Sequence, residues 1–149
     1  RHHVKIIIQP SAGNGTTVGS RFEEIGHLMS MIDRSFSHLV MASFDTSNAF
    51  AAGYDVATKE GLDHTITEFD KHIGLNKLAC VHLKDSDYPV GSRQEATTML
   101  GDGDIGVEGI KNIIHHPALR KVPFIVEQPP TADLSKQNPN FTRLVKWSK

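Results

Sequence analysis

Apolar residues along this chain alternate between two rhythms. Residues 4–8 form a short apolar run, mostly β-branched, closed by the turn-forming stretch from Gln9 to Gly15. Residues 39–44, 77–83 and 122–127 repeat that pattern. Short continuous apolar runs bounded by turn residues predict buried strands. Between them the spacing changes. Phe22, Ile25, Leu28, Met29 and Ile32 fall three and four residues apart and predict a helix over 21–33. Leu62, Ile66, Phe69 and Ile73 do the same over 58–73. A third helix is predicted over 107–115, stopped by Pro117, and a short last one over 141–147. Residues 45–55 read as a polar, small-residue loop with Gly53 and Asp55 as turn formers, and 84–106 as a long loop.

Strand and helix thus follow one another four times. Strands that are apolar throughout, not alternately, are buried on both faces, as in a parallel sheet covered by helices. The expected fold is α/β, a (βα)4 unit in one domain over 1–149, with right-handed crossovers. Each expected strand ends on a polar group: Gln9, Asp45, His82 and Glu127. In a parallel barrel all strand C-termini open on one face, where the chemistry is built. A lone His at a strand end is usually a hydrogen-bonded structural residue, and a lone Asp a cap or turn former. Together, two carboxylates and an imidazole are good metal ligands.

Composition narrows the class. The chain has 149 residues, 38% hydrophobic and 22% charged, with a net charge of -1. These values are ordinary for a globular domain and provide no overall basic field for nucleic acid. The single Cys80 excludes a disulfide framework and fits a reducing, intracellular compartment. No apolar run reaches the roughly 18–20 residues of a membrane span, so no membrane partner is expected. No secretory signal is visible. The chain opens on Arg1, which fits a processed product or part of a longer chain; His2 and His3 are too few to mark a tag.

The stretch Ser43-Phe44-Asp45-Thr46-Ser47-Asn48-Ala49-Phe50-Ala51-Ala52-Gly53-Tyr54-Asp55 resembles the endonuclease IV family of abasic-site DNA nucleases, whose motif reads Leu-Asp-Thr-Cys-His-Ala-Phe-Ala-Ala-Gly-Tyr-Asp. The resemblance runs from Ile6 to Pro129. Gln9-Pro10-Ser11-Ala12-Gly13-Asn14-Gly15-Thr16 is similar to Glu-Asn-Thr-Ala-Gly-Gln-Gly-Thr. His82-Leu83-Lys84-Asp85-Ser86 is similar to His-Leu-Asn-Asp-Ser. Gly91-Ser92-Arg93-Gln94-Glu95-Ala96-Thr97 takes the place of Gly-Ser-Arg-x-Asp-Arg-His. Gly101-Asp102-Gly103-Asp104-Ile105-Gly106 and Val126-Glu127-Gln128-Pro129 match Gly-Glu-Gly-x-Ile-Gly and Leu-Glu-Thr-Pro. The resemblance implies the second half of a xylose isomerase-like TIM barrel.

It also implies a centre of three zinc ions, whose mutual repulsion demands anionic bridging ligands. At those positions this chain has Gln9 for the bridging Glu, Asn48 and Thr97 for histidines, and Glu95 for an Asp. Only Asp45, His82 and Glu127 keep the ligands of one zinc, enough for one weakly held zinc or other divalent ion. The sequence therefore reads as a catalytically degenerate member of the family, kept as a structural or binding subunit of a larger assembly. A mitochondrial ribosome or another ribonucleoprotein is one such home. The alternative is a zinc-dependent abasic-site endonuclease completed by another chain. A further alternative is a single-metal sugar isomerase-like barrel, since such barrels use a Glu/Asp/His/Glu set at the same strand ends.

Four strands leave two apolar edges and an inner face uncovered. Protein partners are therefore expected there, the missing N-terminal barrel half among them. The glycines at 13, 15, 101, 103 and 106 suit turns better than a phosphate cradle. His115 and His116 suit a helix C-terminus, and Glu23 and Glu24 a helix start. Lys136, Arg143, Lys146, Lys149 and Trp147 make a mildly basic tail, a solvated segment by default and otherwise a contact for RNA, DNA or an acidic partner.

Overall fold

A computed structural model describes residues 4–127, 129 and 137–149. The readings that involve Arg1, His2, His3, Gln128 and Lys136 lie outside the described residues. The elements are β1 (Ile6–Ile8), α1 (Phe22–Ser30), β2 (Val40–Asp45), α2 (Thr46–Ala51), α3 (Lys59–His72), β3 (Leu78–Leu83), β4 (Asp85–Ser86), β5 (Thr97–Thr98), α4 (Gly106–His115), β6 (Phe124–Val126) and α5 (Pro139–Trp147).

One sheet runs in the order β1-β2-β3-β6, and every pairing in it is parallel. Asp45 pairs with His82, and His82 with Ile125, so the strand ends lie level. This is the expected α/β half-barrel. The helices cover one face of it. Phe22 of α1, Phe44 of β2 and Phe69 of α3 are fully buried; Phe69 meets the other two edge-on, its centroid 5.3 Å from that of Phe22. Burying each such ring is worth on the order of 2–3 kcal/mol. Tyr54 stacks on Phe22 and its hydroxyl accepts the Phe22 backbone N–H, tying the turn after α2 to the start of α1.

The helices start where local chemistry favours it. Thr58 caps α3 by accepting the Gly61 N–H at 3.0 Å, and Lys71 and His72 sit in its last turn. Glu24 reaches back to the N–H groups of Gly19 and Arg21, which fixes the entry of α1.

Three sequence expectations need correction. Residues 46–51 are helix α2, not loop, because Oδ1 of Asp45 accepts the Asn48 N–H at 2.9 Å and caps the turn, while Phe50 and Ala51 are buried. The segment 84–106 contains an antiparallel pair, Asp85 with Thr98 and Ser86 with Thr97. Ala42, Phe44, Val81 and Leu83 belong to the helix-side core, while the alternate positions Ser43 and Cys80 are small and buried. On the edge strands apolar side chains stay exposed: Ile6 at 62%, and Ile7 and Ile125, which pair with Met41 and His82 on the inner face, at 44% each. The tail helix is longer than predicted, since Asn138 caps it and Pro139 opens it.

Candidate functional site

The parallel register carries the four predicted strand-end residues to one place. Asp45 ends β2, His82 lies in β3, and Glu127 follows β6, its N–H donating to the Leu83 carbonyl. Gln9 follows β1, and its Nε2 donates to Oδ2 of Asp45 at 2.7 Å. His82 Nδ1 lies 2.6 Å from Oε1 of Glu127. Asp45, His82 and Glu127 offer ligand atoms within 4.8 Å of one another, the one such group of His, Cys and acidic side chains among the described residues.

The residue that dominates the site is Lys84, quoted within the His82-Leu83-Lys84 stretch but given no role by the sequence reading. Its side chain is 4% exposed and its Nζ lies 2.8 Å from Oδ2 of the fully buried Asp45. The same ammonium is 3.7 Å from Glu95 and 3.8 Å from Glu127. Burial works against the Lys84 ammonium, but Asp45, Glu127 and Glu95 outweigh it and hold its pKa above the ordinary lysine value. Burial pushes the Asp45 carboxyl up, against the opposing pull of Lys84 and the Asn48 N–H. The signal was available: a lysine directly after an apolar strand, where the similar motif has Asn.

The family's zinc centre can be tested against these contacts. A metal ligand must turn a lone pair toward the ion. Oδ2 of Asp45 accepts from both Lys84 and Gln9, and Oδ1 accepts from Asn48. His82 and Glu127 face each other. Asn48, in the place of a histidine, donates its Nδ2 to the Pro10 carbonyl and keeps a buried Oδ1 without a partner. Glu95 reaches the rim at 52% side-chain exposure, whereas Thr97 is held in β5 opposite Ser86 and makes no hydrogen bond to the cluster. The residues present do not fit a three-zinc centre.

The glycine loop after β5 has an internal task. Asp85 is fully buried and accepts N–H groups from Ser86, Gly101, Gly103, Ile105 and Gly106. These amides hold a carboxylate of the chain itself, at the start of α4, which supports the turn reading over a phosphate cradle. Gly103 is obligatory, since a Cβ there would lie 2.4 Å from the Ser86 carbonyl. Of the basic tail, Arg143 forms a fork with both oxygens of Asp102, and Trp147 packs beside Gly101. Lys146 and Lys149 remain exposed. No helix among the described residues is long and apolar enough to cross a membrane.

Residues 1–145 match the family described as xylose isomerase-like TIM barrel. A probable endonuclease 4 of Clostridium beijerinckii is 41% identical over 128 residues, covering 86% of this chain and 45% of the relative. A probable endonuclease 4 of Haloarcula marismortui is 36% identical over 126 residues, covering 85% of this chain and 44% of the relative. The crystal structure of endonuclease IV from Thermus thermophilus superposes with a TM-score of 0.81 at 33% identity, over 95% of this chain and 49% of that one. The chain thus spans somewhat less than half the length of these curated relatives. Strand order, strand-end cluster and sequence agree: the chain belongs to the xylose isomerase-like TIM barrel family, among its endonuclease IV-like members.

Proposed function

We propose that this chain is the second half of a barrel that handles abasic-site DNA in the endonuclease IV manner, and that its own residues bind and position the DNA. The relatives named endonuclease 4 support the nucleic-acid substrate. The observation that carries the division of labour is the Lys84–Asp45 contact at 2.8 Å, in the place where a hydrolytic ion would need open ligands. The cluster sets three carboxylates against one ammonium, so the DNA phosphates are met by the rim. Arg93 is exposed there, its Cγ beside Gly13 of the loop after β1. The first barrel half, in the same or another chain, covers the open edges. The same reading places the chain inside the cell, where Cys80 stays a thiol.

The test uses the complete protein and a duplex bearing a tetrahydrofuran abasic analogue, with chelator present. Binding at least about tenfold tighter than to undamaged duplex is expected, a difference of about 1.4 kcal/mol. Arg93→Glu weakens both. Equal affinity for the two duplexes overturns the reading.

The second reading is a hydrolytic one, favoured by the Asp45, His82 and Glu127 grouping: an abasic-site endonuclease whose remaining ligands come from the other half. Zinc-dependent, chelator-sensitive incision of abasic-site DNA would establish it. A ribonucleoprotein or mitochondrial home has no support among the relatives named above, which carry endonuclease names.

A further inference from the structure

We propose that the Lys84 ammonium is the resident cation of the strand-end site, a side-chain replacement for one divalent metal ion that keeps such ions out. The inference concerns the metal chemistry of this chain and holds whether or not DNA is its ligand.

Three observations converge. The first is position. Nζ of Lys84 lies 2.8 Å from Asp45, 3.7 Å from Glu95 and 3.8 Å from Glu127, among the carboxylates that a metal would need. The second is burial. The Lys84 side chain is 4% exposed and that of Asp45 fully buried, and a buried charge is tolerated when it is paired and hydrogen-bonded. The ammonium therefore stabilises Asp45 and cannot swing aside without leaving the charge of that buried carboxylate uncompensated. The third is the neighbouring amide. Gln9 donates to the same Oδ2 at 2.7 Å, so a second N–H occupies the lone pairs that a metal would use.

The charges agree with this arrangement. Against the similar motifs, Gln9 removes one negative charge and Lys84 adds one positive charge. Together they change the site by two units, the charge of one divalent ion. Thus the site has the charge balance of a metal centre without the metal. Divalent ions are excluded because binding one would require expelling a buried ammonium into like-charge contact.

The test is metal binding by the full protein, with Zn2+ and Co2+ as probes. Bound metal is read by elemental analysis after dialysis, and Co2+ also by its absorption spectrum. Wild type is expected to hold less than one equivalent under conditions where Lys84→Asn, and more strongly Gln9→Glu/Lys84→Asn, hold about one. A gain in affinity of tenfold or more is expected for the double variant, and adding Asp45→Asn should abolish it. Lys84→Arg, which keeps the charge, should stay metal-free. Stoichiometric Zn2+ on wild type that is lost in Asp45→Asn overturns the proposal. So does a folded double variant that binds no more metal than wild type. If Lys84→Asn does not fold by itself, its recovery with one equivalent of Zn2+ supports the proposal, and failure to recover overturns it.

Discussion

Lys84 and Asp45 form a buried ion pair, Nζ to Oδ2 at 2.8 Å, between side chains 4% and 0% exposed. Removing one partner of such a pair leaves an uncompensated charge and costs about 3–5 kcal/mol, whereas replacing both by apolar groups is often neutral. Lys84→Met is expected to destabilise by roughly that amount, and Lys84→Met/Asp45→Leu to regain most of it. Denaturant midpoints of the two variants and the wild type decide this. A double variant no more stable than Lys84→Met would mean that Asp45 is held by its other donors, Gln9 and Asn48.

Asp85 collects five backbone N–H groups. Asp85→Asn replaces one acceptor by an NH2 that faces these donors. A loss of about 3 kcal/mol is expected, since each hydrogen bond to a charged group is worth about 1.5–3 kcal/mol and the donors are left unpaired. Amide exchange should quicken first at residues 101–106. Protection there equal to wild type would refute a central role for this carboxylate.

Gly26 lies within α1, where alanine ordinarily stabilises by about 1 kcal/mol. Here a Cβ would lie 2.0 Å from the His72 carbonyl oxygen of α3. Gly26→Ala is therefore expected to destabilise, because the two helices must separate and loosen the Phe22–Phe69 contact. A thermal midpoint equal to or above wild type would contradict this packing.

Asp55 sets a pH dependence. Burial pushes its carboxyl up, but the Thr58 hydroxyl and the N–H groups of Ala57 and Thr58 together hold its pKa below the ordinary 3.8. A depressed pKa means that the unfolded chain binds the proton more readily, so the contribution is present above pH 3.8 and disappears as pH falls through the folded-state value. Asp55→Ala should lower the midpoint at neutral pH, and the gap to wild type should close below that range. A gap that is independent of pH would show that packing beside Gly61, not charge, is what Asp55 supplies.

The exposed edges make a prediction about association. Ile6, Ile7 and Ile125 stand on the two edge strands, 62%, 44% and 44% exposed, and no further strand among the described residues pairs with those edges. Residues 1–149 expressed alone should self-associate, and Ile7→Lys with Ile125→Lys should reduce it. Light scattering showing a monodisperse wild-type monomer would remove the need for a covering partner.

The sequence alone determined the layout. Apolar runs placed four strands and three-and-four spacing two of the helices, because burial imposes its period directly on the chain; Pro117 marked the end of a third. The same runs placed Gln9, Asp45, His82 and Glu127 at strand ends, and a parallel register needs only that much to gather them. Helix α2 escaped because its six residues are too few to show a period, and its start depends on one side-chain cap at Asp45. Only the tertiary structure decided what occupies the site. A lysine after a strand reads as a solvated charge until the carboxylates of β2 and the segment after β6 are seen to close around it. Those partners lie dozens of residues away, and no local pattern records a distance between them. The same holds for Asp85, whose five donors come mostly from a glycine loop that the sequence shows only as a turn.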